Sequence, residues 1–137
     1  MVALRALLIW LDIIAAETIH GTIRTVVLVP WMGDLPARQL CVFTGSIMIF
    51  TITAIFSRWL RATAYQRIAV GVFWVVLTVL FEIVLGRLVL KVSWDRIVQD
   101  YDVTHGGLMG FGLLFMALAP WLAACLRSAE AITENTT

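Results

Sequence analysis

Residues 7–31 form an apolar run long enough to cross a bilayer, yet Asp12, Glu17, His20 and Arg24 lie inside it. A hydrocarbon core about 30 Å thick takes about 20 apolar residues of helix, which this run supplies. Ionisable side chains are costly at that depth, so they face a protein interior or a wet cavity rather than acyl chains. At about 100° per residue, Glu17, His20, Gly21 and Arg24 share one helix face, and Asp12 points elsewhere. The fold must therefore bring other helices to that face.

Composition agrees with a membrane setting. Of 137 residues, 61% are hydrophobic and 14% charged, against about 45–50% and about 25% in soluble domains. The length suits one compact bundle. A net charge of +1 offers no basic patch for nucleic acid. Arg5 followed by an apolar run mimics a signal peptide. No small-residue cleavage site ends that run and Glu17 lies inside it, so a retained first helix is expected.

Four spans are read at about 4–31, 38–59, 68–88 and 107–126, with Pro30, Gly33, Asp34 and Pro36 punctuating the first turn. The connection from Arg58 to Arg67 holds three arginines and no acid, which marks it as cytoplasmic by the positive-inside rule. Both termini then lie inside, and the first and third connections outside. The expected fold is an all-α integral membrane protein, an antiparallel four-helix bundle. Cys41 and Cys125 fall on opposite sides of such a bundle, so no disulfide is expected. Trp31 and Trp94 are assigned to the outer interface. Trp10, Trp59, Trp74 and Trp121 are assigned to the inner one, as an aromatic belt.

Between Arg38 and Arg58 at its ends the second span carries no charge, and the fourth carries none. Gly106 and Gly110 open the fourth in a Gly-xxx-Gly spacing, read as close helix packing, and Pro120 as a bend. The third span brings Glu82, about 22 Å from the inner interface at 1.5 Å per residue, level with His20. An unpaired acid there is unfavourable, so Glu82 is expected to contact His20 or Arg24. Arg87 is rotated away and expected to snorkel to headgroups. Asp12, near Arg5 and the arginine-rich loop, is read as a structural salt bridge.

Between the third and fourth spans, Trp94, Ile97, Val98 and Tyr101 follow i, i+3, i+4, i+7. With Ser93 as N-cap, residues 93–101 read as a short amphipathic interfacial helix. Its polar end, Tyr101, Asp102 and His105, falls above the buried charges as a candidate lid. Residues 128–137 read as a polar, frayed tail.

The candidate site is thus Glu17, His20, Arg24 and Glu82. Glu17 and His20 form a Glu-x-x-His, but with Glu82 as the sole further buried carboxylate a metal site is a weak reading. His105 with Asp102 and Asp100 is a weaker zinc candidate at the surface. No nucleophile–base set or phosphate-binding glycine loop accompanies them, which argues against an enzyme. Groups that exchange protons, beside a fixed arginine, suit a proton relay or the binding of a small ion or solute. The competing reading is a polar lock between the first and third spans.

The strings Ala16-Glu17-Thr18-Ile19-His20-Gly21, Gly33-Asp34-Leu35 with Ala37-Arg38-Gln39, Phe81-Glu82 with Leu85-Gly86-Arg87, and Asp100-Tyr101-Asp102 with Gly106-Gly107-Leu108-Met109 resemble a pattern in small four-helix bacterial inner-membrane proteins of unassigned function. The resemblance implies a bacterial inner membrane and no particular activity. The leading expectation is a small polytopic protein that binds or passes a small ion or solute, linked to protons. The alternatives are an accessory or assembly subunit of a larger membrane complex and a metal-dependent membrane enzyme. Little volume for a pore within one such bundle points to a homodimer.

Overall fold

The computed structural model describes residues 1–136 and is helical, without strands among them. Helix α1 (Val2–Ile23) widens into a π-turn at Arg24–Leu28 and ends as α2 (Val29–Met32). The π-turn lies just before Pro30, whose ring would strike the carbonyl four residues back in an unbroken α-helix. The helix therefore passes the proline and stops at Gly33, whose φ of +90° suits a residue without Cβ. Gly33 is the whole first connection, because α3 (Asp34–Leu60) begins directly after it.

Helix α4 (Ala64–Val84) opens on a capping box made by Thr63 and Gln66, which satisfies two otherwise orphan N–H groups. It too ends in a π-turn, Leu85–Val89. The expected interfacial helix is α5 (Trp94–Gln99), with the Ser93 hydroxyl accepting from the Arg96 N–H. A 3-10 turn at Val103–His105 leads to α6 (Met109–Thr136). Three helical stretches are long and apolar enough to cross a membrane: Asp34–Leu60, Ala64–Val89 and Met109–Thr136. Helix α1 packs on α3 and α4, and α6 packs on α3 and α4.

The core lies in one layer of this bundle. Ala6, Ile9, Trp10 and Ile13 of α1 meet Ile49 of α3, Val70 and Trp74 of α4, and Met116 and Ala119 of α6. The Trp74 indole donates to the Ala6 carbonyl at 2.8 Å. The Trp10 indole donates to the Thr78 hydroxyl at 3.0 Å, and that hydroxyl points on to the Met116 sulfur at 3.4 Å. Trp10 and Trp74 are thus 8% and 0% exposed and do not join an interfacial belt. Each N–H finds a partner inside the bundle, so the indole needs no headgroup.

Glycine packing falls only in part where expected, since a Cβ on Gly106 would lie 3.0 Å from the Gln39 amide of α3. Gly106 precedes α6 with φ +83°, and a Cβ on Gly110 would meet nothing within 4 Å. The close approach is at Gly71 of α4, where a Cβ would stand 1.9 Å from the Ala117 carbonyl oxygen of α6.

Two local expectations change, for the tail and for Asp12. Helix α6 runs on to Thr136 instead of fraying, since residues after Leu126 include no glycine or proline. Ser128, Thr133 and Thr136 also bond back to carbonyls one turn earlier; Thr137 of the expected tail lies outside the described residues. Asp12 is exposed and has no ion pair among the described residues. Arg5 instead donates to the Trp59 carbonyl at 3.1 Å and stacks on its ring. Arg87 donates to the Val92 carbonyl and lies over the Trp94 ring. Cys41 and Cys125 are both free.

Candidate functional site

The second layer lies where α1 meets α3 beyond the tryptophans. Glu17, His20 and Arg24 project from one face of the first helix because i, i+3 and i+7 fall on one side. Helix α3 answers with Cys41, Thr44 and Gly45, also one face. His20 Nδ1 stands 3.7 Å from Glu17 Oε2, and its Nε2 stands 2.8 Å from the Thr44 hydroxyl. Gly45 makes room for the Glu17 carboxylate, since a Cβ there would lie 2.9 Å from Oε1. That Oε1 is buried and has no hydrogen-bond partner among the described residues.

Glu82 comes from α4 and is mostly buried. Its Oε2 accepts from the Tyr101 hydroxyl at 3.1 Å. Among the described residues no hydrogen bond or ion pair joins Glu82 to His20 or Arg24, contrary to the sequence expectation. The connection after α4 dips far enough for the Tyr101 phenol to take the carboxylate instead. Glu17 and Arg24 remain within electrostatic range of Glu82, and Arg24 is within range of Glu17 and Cys41. Arg24 itself lies in the π-turn, a deformation that recurs at functional sites.

The candidate lid divides into two parts. Tyr101 reaches the layer. Burial, and then the charge of Glu82, push its phenol pKa up, so it keeps its proton and remains a donor. Asp102 and His105 make an exposed turn of their own. Asp102 accepts from the Thr104 hydroxyl at 2.6 Å and meets His105 Nδ1 at 2.6 Å. Bonding to Thr104 and then to His105 holds the Asp102 carboxyl below its ordinary range.

A ring of charges the sequence did not reveal lies above Tyr101. Arg38 of α3 pairs with Asp34 at 3.0 Å and with Asp100. Arg96 of α5 pairs with the same two acids at 3.3 and 2.9 Å. Each acid thus bridges both guanidinium groups.

As metal ligands, Glu17, His20 and Glu82 do not converge. Among the described residues no three His, Cys, Asp or Glu side chains form such a set, and both His20 ring nitrogens already face protein partners.

The second span, charged only near its ends, hid the contribution of α3. Its one signal is the spacing of Cys41, Thr44 and Gly45, small or polar residues at i, i+3 and i+4. Compared with known families, curated proteins and solved structures, the chain matches none.

Proposed function

We propose that the chain is a four-span membrane protein whose charged layer binds or passes protons or a small cation or solute. The carrying observation is the buried Glu17 Oε1, which has no donor. A buried carboxylate oxygen left open is costly, so something with a proton or positive charge is called for. Charge balance points the same way. One fixed cation, Arg24, faces two carboxylates, Glu17 and Glu82. The remaining negative charge is met by a proton on one of the acids or on His20, or by a bound cation.

In this reading α1 with its extension to Met32 is a fourth crossing. It carries Leu4, Leu8, Leu11, Ile19, Ile23 and Val26 on its exposed side, a stripe suited to lipid. Arg5 beside Trp59 and His20 beside Thr44 support an antiparallel pairing of the first two spans. Ala6 beside Trp74 and Trp10 beside Thr78 support a parallel pairing of the first and third. The arginines between Arg58 and Arg67 then place both termini in the cytoplasm of a bacterial inner membrane, with the charged layer in the outer half.

The test is proton flux into liposomes loaded with a pH-sensitive dye, driven by a potassium diffusion potential. The parent chain is expected to exceed empty vesicles, and the Glu17→Gln, Glu82→Gln double variant to match them. A parent chain that matches empty vesicles across protons and small cations removes this reading.

A further inference from the structure

The connection between α4 and α6 is held down mostly by polar links, with little apolar packing beyond Ile97 over Gly86 and Leu35 against Gly106. Helix α5 contributes no buried residue. Its polar ties are the Asp34–Arg38–Asp100–Arg96 ring, the Gln39 amide donating to the Gly106 carbonyl at 3.1 Å, and the Tyr101–Glu82 hydrogen bond. Two members of the ring stand on the first turns of α3 and two on the connection, so the ring closes across the seam. Three of its members are more than one-third exposed, where single ion pairs are weak. A segment with so little apolar anchorage opens at low free-energy cost.

We propose that this connection is a latched gate over the charged layer, with Tyr101 as its plug on Glu82 and the four-charge ring as its latch. It rests on the reading of Glu17 and Glu82 as the occupied acids. The Tyr101 hydroxyl supplies to Glu82 the donor that an incoming proton carrier or cation would supply. Opening the ring frees Asp100 and lifts the neighbouring Tyr101 with it, which exposes both carboxylates from the face where Gly33 ends the first helix.

The chain carries its own reporter. Cys41 lies three residues along α3 from Arg38, about 4.5 Å at 1.5 Å per residue. It is 8% exposed and lies beside Thr44 and Arg24. In detergent micelles, with Cys125→Ser removing the second thiol, the rate of Cys41 modification by a charged methanethiosulfonate reports opening. Tyr101→Phe keeps the ring and removes only the donor; Arg96→Gln removes half the latch. Each is expected to label about tenfold faster than the parent at an unchanged unfolding temperature, because the gate opens locally.

Equal rates in parent and both variants overturn the gate. So does a parent that labels as fast as denatured chain, or faster labelling that tracks a lowered unfolding temperature. Faster labelling together with a silent liposome assay keeps the gate and removes the transport reading, so the two fail separately.

Discussion

The two layers of the bundle treat polar groups in opposite ways. In the tryptophan layer every buried donor is answered: Trp74 by Ala6, Trp10 by Thr78, and Thr78 by Met116. In the charged layer Glu17 Oε1 is left open and Glu82 depends on a side chain from a lightly anchored connection. The first helix shows the change along its length: Ala6, Ile9, Trp10 and Ile13 are buried, while no residue from Glu17 to Met32 is. Polar groups are satisfied in one layer and left open in the other, the pattern expected of a scaffold beside a site.

Substitutions can break that comparison, and the largest effect is expected at Gly71. Valine there would drive Cβ to 1.9 Å from a backbone oxygen of α6, which cannot move aside as a side-chain tip can. Overpacking of this kind costs about 1–3 kcal/mol or more, so Gly71→Val should yield little monodisperse protein on gel filtration. Next is Trp74→Ala, which empties a site 0% exposed and should cost about 3–5 kcal/mol by thermal or chemical unfolding in detergent.

The charged layer should respond differently. In Gly45→Ala the nearest neighbour of the new methyl is the Glu17 carboxylate, at 2.9 Å, and that side chain can swing away. Its stability should change by less than about 1 kcal/mol, while proton flux in liposomes falls because Glu17 is displaced. The smallest effect is at Asp102. Its folded pKa is lowered from 3.8, so its contribution is present above that value and lost as pH falls through the lowered one. Hydrogen exchange at the Thr104 amide, which donates to Asp102, should quicken there. Asp102→Asn should abolish that pH dependence.

The membrane-capable helices were legible because hydropathy and helix period are properties of the chain itself. Ser93 as a cap and the approach of Tyr101 to the buried charges were legible for the same reason, since spacing and depth can be counted. Contacts that depend on a neighbour's register were not. An indole reads alike at a headgroup or in a core, so Trp10 and Trp74 were misplaced. Of the spaced pair Gly106 meets α3 and Gly110 meets nothing, while the tightest approach is at Gly71. Glu82 was placed in the right layer with the wrong partner, because a phenol nineteen residues later in the chain reaches it before a histidine on another helix. Thr44 and Gly45 were passed over because hydroxyls and glycines in a span ordinarily serve their own helix.

Whether the charged layer is a site or a lock is decided by measuring unfolding and proton flux on one preparation of the Glu17→Gln, Glu82→Gln chain. A site predicts an unfolding free energy within about 1 kcal/mol of the parent and flux reduced to that of empty vesicles. A lock predicts the reverse: a loss of several kcal/mol, as when one partner of a buried charge set is removed, and no flux in the parent to lose.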